Sequence, residues 1–266
     1  MSDGDARHER TLVVPRIPGP WGEPPAIDEV QPLSRAGAAL HAGGAALNLA
    51  ASGYAVGYLV QHRATLAAHW RLGVGGVAAG TYAADLVSGL LHWAFDTWFD
   101  EDAGPLRRMV YLVREHHLRP ARIFRYRLRD EAGILSWFAF GLAGPVYLVA
   151  ALSKVTAGRC AAVVGALTMA TEIVLMLEFH KVGHRVRRGR GVRALQRARL
   201  LLSPEDHLRH HSADHDVNYC LITGVADRTL GRLGLFRGLE RAITAVTGAQ
   251  PRVNDVEWAL RYGRPI

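Results

Sequence analysis

Four stretches of this chain are long and apolar enough to cross a bilayer, and that limits what it can fold into. A spanning helix needs about 20 mostly apolar residues, and in hydrocarbon only helices and closed barrels leave no backbone group unpaired. Residues 37–60, GAALHAGGAALNLAASGYAVGYLV, are rich in small side chains and modestly apolar. Residues 72–98, LGVGGVAAGTYAADLVSGLLHWAFDTW, carry Asp85, His92 and Asp96 inside an apolar run. Residues 134–153, ILSWFAFGLAGPVYLVAALS, and 160–179, CAAVVGALTMATEIVLMLEF, are the clearest of the four. The last three are too long and too uniformly apolar for an amphipathic surface helix. Small residues suit close helix packing in a membrane. The expectation is an all-α integral membrane protein with four transmembrane helices; the alternative is a soluble bundle of buried helices.

Charge fills the gaps between the blocks. The net charge of +8 rests almost wholly on arginine, since Lys154 and Lys181 are the only lysines. Such an excess suits nucleic acid or anionic lipid head groups equally, so its placement has to decide. The connection at 61–71 holds Arg63 and Arg71, and that at 154–159 holds Lys154 and Arg159. The connection at 99–133 holds eight arginines, from Arg107 to Arg129, and a further run extends from Arg185 to Arg199. Arginine-rich connections stay on the cytoplasmic side. Both termini and the 99–133 connection are therefore assigned to the cytoplasm, as a helical cap on a multi-pass protein, and nucleic acid is not expected as a partner. Residues 1–35, with six prolines, read as an irregular tail without the pattern of a secretory signal. Residues 36–245 read as the membrane domain and 246–266 as a C-terminal tail.

The segment LLLSPEDHLRHHSADHDVNYC, residues 200–220, packs His207, His210, His211 and His215 into nine positions. On the assigned topology His92, His116, His117, His180 and His184 fall on the same membrane face. Residues three and four apart share a helix face, so His180 can act with His184, and His207 with His210 and His211. Asp85, Ser88 or Gly89, His92 and Asp96 form one stripe, expected to face the bundle interior, where ionisable groups are costly and usually functional. Glu172 and Glu178 are candidate acceptors that would orient imidazoles. His8, His41, His62 and His69 are assigned no chemistry. Cys160 and Cys220 form no CxxC pair, so a metal here must rest on nitrogen and oxygen.

Nine imidazoles with carboxylates exceed the three or four ligands of one zinc and suit two metals in a shared pocket. Ligand softness alone admits Fe, Cu, Ni or Zn. The membrane setting favours iron, because a pair of irons activates O2 for C–H cleavage on hydrocarbon chains. Two rivals are a histidine-rich membrane metal carrier and a membrane zinc hydrolase. A carrier would need polar groups at depth on both sides of the bilayer, and the candidates here lie on one.

The pieces DLVSGLLHWAFDTW, REHHLRP, HKVGH and SPEDHLRHHSADHDVNYCLITG, spread over about residues 80–235, resemble the plasmanylethanolamine desaturase family, which includes bacterial carotenoid-regulation proteins. The resemblance implies a four-helix membrane desaturase with a histidine-ligated di-iron centre. Its implied reaction converts the 1-O-alkyl chain of an ether phospholipid to a vinyl ether. The implied ligands are His92, His116, His117, His180, His184, His207, His210, His211 and His215. Asp96 is the candidate catalytic carboxylate, whether as ligand, proton carrier or a group that orients a ligand. Three departures stand out: Arg119 occupies a position usually acidic, the stretch ARIFRYRLRDEAG lacks the usual His and Asn, and GVAD replaces a G-x-x-N pattern. A plant-type branch, which desaturates the acyl chain of phosphatidylglycerol near its carboxyl end, shares the flavour of ALQRA and VNYC and is the second candidate. The reaction consumes O2 and two electrons. No CxxCH and no Gly-rich dinucleotide fingerprint is present, which implies an outside donor of ferredoxin or cytochrome type. The arginine-rich face suits either such an acidic partner or phospholipid head groups.

Overall fold

The computed structural model describes residues 33–99, 106–118, 120–185, 188–212 and 215–251, so most of both expected tails lies outside the described residues. Within them the chain is helical and contains no strand. The helices are α1 (Arg35–Gln61), α2 (Arg63–Ala68), α3 (Trp70–Thr97), α4 (Arg107–Leu118), α5 (Leu128–Leu152), α6 (Ala157–Val174), α7 (Met176–His184), α8 (Arg190–Arg197), α9 (Pro204–His211) and α10 (Leu235–Thr247). Three of them, α3, α5 and α6, are long and apolar enough to cross a membrane. The fourth expected crossing corresponds to α1, whose 27 residues are long enough but less apolar.

The long helices pack as neighbours, α3 against α6, α6 against α5, and α5 against α1. At the α3–α6 contact two glycines let the backbones meet. A Cβ on Gly80 would lie 2.2 Å from the carbonyl oxygen of Gly165, and one on Gly76 would lie 2.4 Å from that of Ala161. Small residues four apart thus serve the close approach expected of them.

Two boundaries differ from the apolar blocks. Helix α5 begins earlier, at Leu128, because the Arg127 N–H donates to Asp130 Oδ2 at 2.7 Å and caps a polar first turn. The run at 160–179 is not one helix. It breaks at Leu175 (φ −88°, ψ 6°), and α7 starts afresh, which frees His180 and His184 from the direction of α6.

The polar stripe on α3 is real, but its partner is a loop and not another spanning helix. Asp85, with 0% of its surface exposed, accepts from the N–H groups of Ile222 (3.2 Å), Thr223 (2.7 Å) and Gly224 (3.0 Å) on Oδ1 and of Ala226 (2.9 Å) on Oδ2. Ser88 Oγ accepts from the Leu221 N–H at 2.9 Å. Asp227 accepts from the N–H groups of Tyr219 (3.2 Å) and Cys220 (2.9 Å). Burial pushes the Asp227 carboxyl up to about 6. A Cβ on Gly89 would sit 2.6 Å from Cys220 Sγ, so only glycine lets the loop lie this close. A buried irregular segment must pair its backbone somewhere, and three side chains do most of that here. Helix α10 covers the assembly, with Phe236 packed on Trp93 and Tyr219, and Glu240 accepting from Trp93 Nε1 at 2.8 Å.

Candidate metal centre

Four helices deliver the histidines, and helical geometry sorts them into two groups. His116, His180, His184, His207 and His211 each offer one ligand atom, all within 4.8 Å of one another. His92, Asp96, His117 and His210 form a second group on the same criterion. On α7 and α9 the pairs His180/His184 and His207/His211 are four apart and face one way. The doublets divide: successive helical residues point about 100° apart, so His116 serves the first group and His117 the second, as His211 and His210 do. The groups adjoin, with ring centroids 4.6 Å apart for His116 and His117 and 5.6 Å for His92 and His180.

Helix α9 is built to hold this position. Ser203 caps it, accepting from the Asp206 N–H at 3.1 Å while its hydroxyl donates to Asp206 Oδ2 at 2.8 Å, and Pro204 takes the first helical position. Asp206 also receives Arg199 and Arg228 at 3.1 and 2.5 Å. Burial raises its pKa and the hydrogen bonds from Arg228 and Ser203 lower it, with a net lowering. Asn218 Nδ2 donates to the Asp206 carbonyl at 2.9 Å, which ties the end of the histidine segment back onto α9.

The nitrogens converge in a way that hydrogen bonding cannot satisfy. His207 Nε2 lies 2.8 Å from His184 Nε2, 2.9 Å from His180 Nε2 and 3.1 Å from His211 Nε2. One nitrogen carries at most one proton, so three such neighbours cannot all be bonded through it. Ligands at right angles on bonds of about 2.1 Å would stand roughly 3 Å apart, and the spacing fits donors around a cation. In the second group His210 Nε2 is 3.1 Å from His117 Nε2, and Asp96 carboxylate oxygens lie 3.5 to 3.7 Å from the Nε2 atoms of His92, His117 and His210. His92 Nε2 is buried without a hydrogen-bond partner.

Burial keeps the rings neutral. It pushes His116, His117, His180, His207 and His210 well below the ordinary imidazole value, and neighbouring imidazoles push the same way. Burial brings His184 to about 4 and His211 to about 2. Neutral imidazole is the form that binds metal. Orientation comes from carbonyls: His92 Nδ1 donates to Tyr219 O at 3.0 Å and His210 Nδ1 to Val217 O at 2.8 Å.

Of the residues singled out from sequence, the structure brings together eight histidines and Asp96. His215 is beside them but in neither group; it stacks on His117 with centroids 4.2 Å apart, its backbone left-handed at φ 56°. Glu172 accepts from Thr81 Oγ1 at 2.9 Å and Glu178 pairs with Lys181 at 2.7 Å, so neither orients an imidazole. Sequence reasoning missed the carbonyls of Val217 and Tyr219, and also Arg114, a buried arginine that donates to the Asp96 carbonyl. Arg114 stands two residues before the His116–His117 doublet, the one signal that pointed to it.

Residues 81–254, more than half of the chain and all of both groups, match the lipid desaturase domain. Plasmanylethanolamine desaturase 1 of Mus musculus is 30% identical over 206 residues, covering 73% of this chain and 73% of that protein. Plasmanylethanolamine desaturase of Myxococcus xanthus is 32% identical over 187 residues, 68% of this chain and 63% of that one. Chloroplastic fatty acid desaturase 4 of Arabidopsis thaliana is 30% identical over 176 residues, 65% of this chain and 52% of that one. No solved structure matches. The nine clustered side chains all lie within the matched span, and the chain belongs to the lipid desaturase domain family, whose named relatives are oxidoreductases acting on lipids.

Proposed function

We propose that this protein is a di-iron membrane desaturase that converts the 1-O-alkyl chain of an ether phospholipid to a vinyl ether, using O2 and two electrons from an outside ferredoxin or cytochrome-type donor. The observation that carries the reading is the pair of adjoining donor groups, five histidines in one and three histidines with Asp96 in the other. Two irons account for more donors than one zinc would take, and the names of the mouse and Myxococcus relatives support the ether-lipid substrate.

Bound iron would supply the oxidising power that removes two hydrogens from adjacent chain carbons. The protein's own contribution is geometry and dryness. His116, His180, His184, His207 and His211 would hold one ion, and His92, His117 and His210 would hold the other, with Asp96 supplying the anionic group. Asp96 offsets part of the charge where neutral rings cannot. His215 steadies the His117 ring by stacking. Burial of most of these rings keeps water away from reactive species. Helix α1 completes a four-helix membrane domain with α3, α5 and α6, and the metal groups and both termini lie on the cytoplasmic side, following the arginine-rich connections.

A second reading, desaturation of a phospholipid acyl chain near its carboxyl end, is favoured by the 30% identity to the Arabidopsis protein. Lipid analysis of cells with and without the protein separates the two. Acid-labile vinyl ether lipids that appear only with the protein support the first; a new double bond in an ester-linked chain supports the second; unchanged lipids in cells with an active donor would sink both.

A further inference from the structure

Beside α9, on the side away from the ligands, lies a second polar feature that the metal groups do not use. A pocket of about 410 Å³ is lined by Arg188, Arg193, Arg197, Arg199, Arg209 and Arg228, against only two carboxylates, Asp206 and Glu205, so six positive charges less two negative leave a formal +4. Asp206 is engaged by Arg199 and Arg228. Among the described residues, Arg193, Arg197 and Arg209 have no carboxylate partner, and all three are exposed. Arg188 is held in place by donating to Gln196 Oε1 at 2.9 Å, and buried Gln196 donates in turn to the Leu202 carbonyl at 2.9 Å. Arg188, Arg199 and Arg228 are held by these contacts, and together with the three exposed guanidinium groups they are suited to a phosphate, which takes several charge-assisted hydrogen bonds at once.

A neighbouring pocket of about 300 Å³ shares Arg188 and Glu205 with the first as a common wall. Its other lining includes Gly183, Leu208, His184, His207 and His211, so it opens onto the five-histidine group. The chemistry needs that adjacency. In an ether lipid the carbons to be desaturated begin at the glycerol oxygen, a few bonds from the phosphate, and in the acyl alternative they lie near the carboxyl end.

We propose that the arginine pocket binds the phosphate of a membrane phospholipid, and that Arg188 marks the divide between the head group and the first carbons of the chain presented to His184, His207 and His211. The assignment rests on the lipid-desaturase reading above, and holds for either chain type. The head group docks first by charge. Its distance from the histidines then fixes which bond is reached.

The test uses full-length protein in detergent, with dihexanoyl phosphatidylethanolamine below its micelle concentration and inorganic phosphate as separate probes. The variant Arg193→Gln/Arg197→Gln/Arg209→Gln changes only exposed side chains, and Arg159→Gln, at the start of α6, is the control. Short-chain lipid is expected to bind the triple variant roughly a hundredfold more weakly, the control as the wild type does, and the triple Arg→Lys variant to recover part of the loss. Lipid affinity unchanged in the triple variant overturns the proposal. So does inorganic phosphate binding as tightly as the lipid, which makes the pocket a free-anion site. Unchanged lipid binding with slower reduction by an acidic [2Fe–2S] ferredoxin also overturns it, and makes the arginines a docking surface for protein. The probe carries ester chains and binding is read without turnover, so absence of vinyl ether product in cells would defeat the proposed activity and leave this result standing.

Discussion

His92 Nδ1 donates to the Tyr219 carbonyl at 3.0 Å, and this bond joins a membrane helix to the loop beside the metal-binding groups. A carbonyl only accepts, so the ring proton sits on Nδ1 and the Nε2 lone pair faces Asp96, 3.5 Å away. His210 repeats the arrangement with Val217. If the two groups hold two irons as proposed, His92→Ala and His210→Ala are each expected to lower iron from about two to about one or fewer per chain and to cut product at least ~100-fold. His215→Ala, outside both groups, should cost about tenfold or less in activity and keep both ions. Metal analysis of purified protein alongside product assays checks the contrast; full iron content in His92→Ala would argue against its assignment.

Asp85 carries the loop. Asp85→Asn keeps the shape but turns an acceptor into a donor opposite backbone N–H groups. A buried donor left unpaired costs about 1–3 kcal/mol, and the loop also supplies the carbonyls for His92 and His210. The variant is expected to unfold at lower temperature and to lose iron on dilution faster than wild type. Thermal unfolding and metal retention measured on one preparation test this, and a variant unchanged in both would remove Asp85 from the account.

The α3–α6 contact leaves no room at Gly80, where the nearest atom is a backbone oxygen that cannot rotate away. Gly80→Ala is expected to destabilise the protein by about 1–3 kcal/mol, as overpacked contacts do. Gly53→Ala, where a Cβ meets nothing within 4 Å, should be neutral or slightly stabilising. Equal melting temperatures for the two would show that the helices do not meet as described.

Acid should unfold the iron-free protein early. Below about 6.5, the ordinary imidazole value, the unfolded chain takes up protons, whereas folded His184 resists until about 4. In that window the unfolded state binds more protons, so stability is complete above 6.5 and falls as pH drops toward 4. His116, His117, His180, His207 and His210 shift in the same direction and steepen the loss. A bound metal would compete with protons for the same nitrogens, so metal-loaded protein should unfold at lower pH than chelator-stripped protein. Unfolding curves between pH 7 and 4 with and without chelator decide it.

Much of this was legible in the sequence because it is periodic. Apolar runs marked α3, α5 and α6, and spacings of three and four placed His180 with His184 and His207 with His211; the same spacing joined His210 to His207, whereas the structure turns His210 toward His92, His117 and Asp96. What repeated imperfectly was harder. The break at Leu175 falls inside an unbroken apolar run, since a helix can stop without any change in hydropathy. The stripe Asp85–Ser88–His92 was visible, but its partner is an irregular segment whose backbone does the bonding, and backbone groups leave no trace in residue type. His215 looked like its neighbours; the structure sets it, on a left-handed backbone, beside His117 and outside both groups.

The latch formed by Asp85, Ser88 and Asp227 grips consecutive amides from Tyr219 to Gly224, then Ala226. Nothing there can slide by one position without swapping every amide for its neighbour. An inserted or deleted residue would move the Tyr219 and Val217 carbonyls off their rings together, and two imidazoles on separate helices would lose their tautomers at one stroke. This short stretch works as a ruler, and its length, more than its side chains, sets where the two rings point.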